Sequence, residues 1–176
     1  ENGANINQKN YLGKTVAMFA VEKGHINILE FIKERYPQFD WNAQVNSKGS
    51  TVFHWAIAFE QLEVVKWLLA NKMNSTLSDF RGVSPIMWAA AKKNVEIFEI
   101  LQVNDPSLDL NAINQNGLTL LYVVASKGNL ARLEYLLSHG AKASINMQFK
   151  DFAPTALHAA LREGHFEVAE LLLDNG

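Results

Sequence analysis

Thr51-Val-Phe-His-Trp-Ala56 is followed at a short distance by the apolar run Leu62-Glu-Val-Val-Lys-Trp-Leu-Leu69, and the pair recurs as Thr155-Ala-Leu-His-Ala-Ala160 and Phe166-Glu-Val-Ala-Glu-Leu-Leu-Leu173. Reading backward from Thr51 gives Asn46-Ser-Lys-Gly49-Ser-Thr51, and the same Gly-x-Thr/Ser ending closes three more stretches. These are Asn10-Tyr-Leu-Gly13-Lys-Thr15, Asp79-Phe-Arg-Gly82-Val-Ser84 and Asn114-Gln-Asn-Gly117-Leu-Thr119. The hydroxyl residues Thr15, Thr51, Ser84, Thr119 and Thr155 are spaced by 36, 33, 35 and 36 residues. A period of that length is the sequence signature of stacked helical repeats.

Each copy reads as two helices and a turn. Thr15, Thr51, Ser84 and Thr119 stand just before apolar stretches, where a hydroxyl is expected to accept a hydrogen bond from a free backbone N–H at a helix start. Pro85 falls at the first helical position, where its missing donor costs nothing. Gly13, Gly49, Gly82 and Gly117 suit a tight turn. Small residues on the first helix, Ala20, Ala56, Ala89 and Ala160, allow close approach of neighbours, with Val124 the exception. The second helices carry apolar stripes expected to be core, such as Ile26, Ile28, Leu29 and Ile32, or Leu130, Leu133, Leu136 and Leu137. No single repeat can bury such a stripe alone, so neighbours must supply the remaining surface.

Thr51–Ala56 and Thr155–Ala160 resemble the T-P-L-H-x-A signature of the ankyrin-repeat family, and the resemblance extends over essentially the whole chain. It implies an all-α solenoid of about five stacked helix-loop-helix units with β-hairpin-like connecting loops. On that pattern residues 1–7 are the tail of a preceding repeat, and repeats span 8–44, 45–77, 78–112, 113–147 and a truncated 148–176, as though excised from a longer protein. The chain departs from the pattern in several places. Met18, Met87 and Tyr122 replace the signature histidine kept at His54 and His158. Glu60 and Lys93 stand where Gly24, Gly128 and Gly164 close the first helix elsewhere, so either the loop differs or strain is offset. Ala153-Pro154 replaces Gly-x before the fifth repeat, where an irregular hairpin is expected. The connections 37–43 and 106–112 resemble one another, and Pro37 and Pro106 are expected to end their second helices early.

Composition narrows the functional classes. Net charge is −2 with scattered basic residues, so the clustered positive face expected of a nucleic-acid binder is missing. No apolar run approaches the roughly 20 residues of a membrane span. There are no cysteines, which fits a reducing compartment, and a cytoplasmic location is expected, host cytosol if the protein is a secreted effector. The histidines lack metal-ligand spacing and no phosphate loop or nucleophile elbow is present. Glu96 with Glu99 and Glu167 with Glu170 read as solvated charge. No enzyme, cofactor or metal is expected, and the segment is expected to be monomeric.

Function must then come from surface shape. In ankyrin-repeat domains, hairpin tips and first helices form a concave groove for another protein or peptide, and the matching positions here include Tyr11, Leu12, Lys14, Phe19, Lys48, Trp55, Phe59, Phe80, Arg81, Trp88 and Lys92. Trp55 and Trp88 are 33 residues apart and should lie side by side, with Phe59 one turn from Trp55; with Tyr11, Leu12 and Phe80 they would form one aromatic patch. The alternative is that both tryptophans simply fill the gap between helices. Lys14, Lys48, Arg81 and Lys92 would favour an acidic rim on the partner. Trp67 is expected in the core and Trp41 at a hairpin base, while Asn7, Asn42 and Asn111 are expected to bond the local backbone. A second functional reading is a regulatory or spacer arm of a larger membrane enzyme, channel or effector, making intramolecular contacts.

Overall fold

A computed structural model describes residues 3, 5–43, 46–92, 94–105, 108–148 and 154–176. The helices come in pairs: α1 (Val16–Lys23) with α2 (Ile26–Arg35), α3 (Val52–Ala58) with α4 (Leu62–Ala70), α5 (Pro85–Ala90) with α6 (Glu96–Asn104), α7 (Leu120–Ser126) with α8 (Leu130–Ser138), and α9 (Ala156–Glu163) with α10 (Phe166–Asn175). A short 3₁₀ turn covers Ala141–Ser144. First helices pack in succession, α1 on α3, α3 on α5, α5 on α7 and α7 on α9, so the chain is an all-α solenoid. Among the described residues the β component is confined to isolated bridges, such as that between Ile113 and Thr119.

The core runs through the stack. Ala20, Ala56, Ala89, Val124 and Ala160 are all buried, Val124 included. On the second helices the buried set is narrower than the apolar stripe suggests. Leu29 and Ile32 are buried, as are Leu133, Leu136 and Leu137, but Ile28 and Leu130 are exposed. Ile28 is turned about 100° around the helix from Leu29, away from the packed face. Trp67 also departs from expectation: it is half-buried outside the sealed row Val64, Val65 and Leu68, and packs 5.4 Å from Trp41.

Thr15, Thr51, Ser84, Thr119 and Thr155 all occupy the position before a first helix in extended conformation. Only some of their hydroxyls cap as expected. Thr119 Oγ1 accepts from Tyr122 N–H at 3.1 Å and Thr155 Oγ1 from His158 N–H at 3.4 Å. At Thr15 the Met18 N–H instead bonds the Thr15 carbonyl at 3.1 Å. At Thr51 the hydroxyl meets His54 Nδ1 at 2.9 Å.

The turns have a cause that lies three residues before each glycine. Asn10, Asn46, Asp79 and Asn114 each place a side-chain oxygen on the backbone N–H groups two and four residues on, at distances from 2.7 to 3.4 Å. This side-chain mimic of a backbone turn is repeated in four successive loops. The loops also stack: Phe80 N–H donates to the Lys48 carbonyl at 2.8 Å and Gln115 N–H to the Arg81 carbonyl at 2.9 Å. Glycine is required where they meet. A side chain on Gly13, at φ +74°, would lie 2.9 Å from the Asn46 backbone nitrogen, and one on Gly49 2.5 Å from the Phe80 ring.

Glu60 takes the left-handed conformation glycine holds elsewhere, at φ +53°. Lys92 steadies it, donating to the Ala58 carbonyl at 2.7 Å with its ammonium 3.8 Å from the Glu60 carboxylate. Lys93, the other glycine replacement, lies outside the described residues, as do Pro106 and residues 149–153 of the fifth-repeat hairpin. Pro37 does not shorten its helix: α2 runs ten residues, one more than α4, and ends at Arg35. The 37–43 and 106–112 connections are alike where described, Asp40 and Asp109 each accepting from the N–H two residues on at 2.9 Å. Asn111 differs from expectation. Its side-chain amide reaches the Gly140 carbonyl at 3.1 Å, joining two repeats instead of bonding locally.

Candidate partner-binding interface

Trp55 on α3 and Trp88 on α5 face the same cavity, of 420 Å³, with the hairpin tips closing its other side. Its walls are Leu12, Lys14, Asn46, Ser47, Lys48, Ser50, His54, Trp55, Ala58, Phe59 and Trp88. Helical spacing places Phe59 one turn after Trp55, and the rings stack at 5.4 Å and 18°. Both tryptophans are half-buried and packed against the core, so they are wall and core at once. His54 stands edge-on to Trp88 at 5.3 Å.

The position of His54 follows from its bonds. Its Nε2–H donates to the Val83 carbonyl at 2.9 Å, which leaves Nδ1 to accept from the Thr51 N–H at 3.1 Å. Burial lowers its pKa below the ordinary 6.5; the Val83 carbonyl and Asp79 oppose that shift only in part. The imidazole is therefore a neutral strut between α3 and the loop before α5.

Six of the sequence-expected residues, Leu12, Lys14, Lys48, Trp55, Phe59 and Trp88, line this cavity. The expected single patch is divided. Tyr11 and Phe80, 93% and 54% exposed, border a second opening with Leu12, Lys9, Gly13, Asn46 and Ser47. Leu12, Asn46 and Ser47 are common to both. Phe19 is joined to the first through Lys14, whose ammonium sits 5.4 Å from the Phe19 ring and 4.2 Å from that of Trp55.

The basic residues are mostly engaged within the chain. Lys14 pairs with Glu22 at 2.9 Å, and Arg81 pairs with the buried Asp79 at 2.6 Å while its guanidinium lies 6.0 Å from the Trp88 ring. Lys92 is held by Ala58 and Glu60. Lys48 is exposed, and its ammonium has no partner among the described residues. Burial alone would raise the Asp79 carboxyl, but the Arg81 guanidinium and the Val83 and Arg81 N–H groups outweigh it and hold its pKa below the ordinary value.

Sequence reasoning did not single out Asn46 as a wall residue, nor Asp79 as a buried carboxylate. The signal was present in the recurrent Asn/Asp three residues before the turn glycine. Two wall residues also carry polar atoms that are shielded from water and have no partner among the described residues, Trp55 Nε1 and Ser50 Oγ. Among those residues no cluster of His, Cys, Asp or Glu could hold a metal, and no helix is long and apolar enough to cross a membrane.

A family model for ankyrin repeats (3 copies) matches residues 2–79 and 86–176. The human transient receptor potential cation channel subfamily A member 1 is 28% identical over 158 residues, which is 90% of this chain and 14% of that protein. The probable 26S proteasome regulatory subunit p28 of Saccharomyces cerevisiae is 28% identical over 76% of this chain and 58% of its own length. The nuclear factor NF-kappa-B p105 subunit of Gallus gallus is 28% identical over 93% of this chain and 17% of its own length. The chain thus spans between 14% and 58% of these relatives.

Proposed function

Because the chain belongs to the ankyrin-repeat family, whose repeats generally mediate protein–protein interaction, we propose that it binds a partner peptide or protein surface in the groove formed by its first three hairpin tips and by α3 and α5. The observation that carries this reading is the 420 Å³ cavity walled by Trp55, Phe59 and Trp88 beside the exposed Tyr11, Leu12 and Phe80. Large aromatic anchors around a pocket are the usual energetic centre of a protein interface, and contiguous exposed apolar surface marks a binding site. The repeats act through shape and contact, as a non-catalytic module.

Affinity capture from a cell lysate tests the reading. The wild-type chain is compared with a Phe59→Ala/Trp88→Ala variant of intact helical melting and with Val103→Ala, a change at an exposed position on α6. Partners retained by wild type and Val103→Ala but lost from the groove variant are expected. Equal retention by all three overturns the groove as the binding site.

A second reading is favoured by the channel subunit, of which the chain covers 14%. Within a larger protein the same groove would hold another segment of that protein, as a regulatory or spacer arm. Capture of flanking segments of the same polypeptide, supplied as separate fragments, distinguishes this from an external partner.

A further inference from the structure

Among the described residues, the wall of the cavity between the hairpin tips and α3/α5 contains no acidic residue but two lysines, Lys14 and Lys48. Lys14 is neutralised by Glu22 at 2.9 Å, whereas Lys48 is exposed and unpaired among the described residues. The rest of the wall is largely aromatic and aliphatic: Trp55, Phe59, Trp88, Leu12 and Ala58. The pocket therefore offers apolar contact at its centre and one unbalanced positive charge at its edge.

Trp55 Nε1 and Ser50 Oγ add a third element. Both are cut off from water without a partner among the described residues, and Ser50 is only 2% exposed. Leaving a buried polar group unsatisfied is costly, and a ligand carbonyl that accepts from one recovers that cost. The Lys14 ammonium lies 4.2 Å from the Trp55 ring centroid. A cationic ligand is disfavoured, because Lys14 already occupies an aromatic face and Lys48 would repel it.

Resting on the binding reading above, we propose that this cavity is the anchor site for an extended acidic peptide segment of a partner protein. One apolar side chain enters between Trp55, Phe59 and Trp88. A main-chain carbonyl of the segment accepts from the Trp55 indole N–H, and a neighbouring carboxylate pairs with Lys48.

The test uses two-dimensional NMR of the nitrogen-labelled chain, in which the four tryptophans give separate indole N–H signals. Trp55→Phe assigns the key one. Trp41 and Trp67, packed against each other and away from the cavity, serve as internal controls. The probes are blocked peptides with a central Leu, Met or Phe flanked by Glu, by Lys or by Ser. The Glu-flanked peptides are expected to move the Trp55 and Trp88 signals and leave Trp41 and Trp67 in place. Lys48→Glu, at an exposed position, is expected to weaken that binding by about tenfold. Equal binding of Lys- or Ser-flanked peptides, or an unchanged affinity in Lys48→Glu, overturns the acidic chemistry while the groove reading stands. Absence of any shift with every peptide overturns the anchor site itself. The groove reading fails separately, through a captured partner indifferent to Phe59→Ala/Trp88→Ala.

Discussion

The guanidinium of Arg132, on α8, donates to the Ala90 carbonyl at 2.9 Å, and so closes the end of a helix in the preceding repeat. The same side chain also reaches the Lys92 and Asn94 carbonyls at 2.6 and 2.7 Å and lies over the Phe98 ring at 5.3 Å. It is 5% exposed. Burial pulls its pKa down from the ordinary arginine value, and the Glu99 charge partly offsets this. Gly24, Gly128 and Gly164 follow the first helix in three of the repeats; here a buried arginine from the next repeat satisfies the Ala90 carbonyl at the helix end and those of Lys92 and Asn94 beyond it.

Arg132→Met should therefore destabilise the chain by about 3 kcal/mol, because it leaves three carbonyls without their charged donor. Arg132→Lys should recover only part of the loss, since one ammonium cannot reproduce the planar fork. Urea unfolding checks both. A Met variant within about 0.5 kcal/mol of wild type, the range of ordinary surface substitutions, would remove the capping role.

His54 and Asp79 make stability fall with acid in two windows. Both folded-state pKa values are depressed, so each contributes stability that is present above its unfolded value and lost as pH falls. For His54 the loss begins below 6.5; for Asp79 it begins below 3.8. Thermal melts across pH should show both declines, and His54→Leu should abolish the upper one. A flat profile between neutrality and the carboxylate range would contradict the assignment of a neutral, buried imidazole.

Glu60 should be improvable. At φ +53° a side chain costs about 1–2 kcal/mol relative to glycine, and the Glu60–Lys92 contact at 3.8 Å is too exposed to repay it. Glu60→Gly is expected to stabilise the chain by about 1 kcal/mol, seen as a higher unfolding midpoint in urea. A lower midpoint would mean that the ion pair outweighs the backbone strain.

Much of this architecture is legible in the residues because the repeat imposes the same local chemistry again and again. Gly-x-Thr announces turn and helix start, and alanines such as Ala56 and Ala89 mark close approach. What the period conceals is the interaction between repeats. Nothing local to Arg132 indicates that it reaches α5, and nothing near Asn111 indicates Gly140. Helical spacing also overestimates the core at Ile28 and Leu130, because it marks apolarity and not which flank meets a neighbour. For the candidate site, spacing placed Trp55, Phe59 and Trp88 together, whereas the division of the aromatic patch and the internal pairing of Lys14, Arg81 and Lys92 depend on side-chain reach. Lys48 emerges as the unpaired cation only once those contacts are known.

The central claim is that the groove of the first three repeats is where a partner binds, and its most direct test is an affinity. A peptide selected on the wild-type chain from a random display library is titrated by calorimetry against wild type, Phe59→Ala/Trp88→Ala and Val103→Ala. The account predicts a Kd at least about tenfold weaker for the groove variant, the effect of losing buried aromatic anchors, and no change for Val103→Ala. Equal Kd values for all three proteins would contradict it.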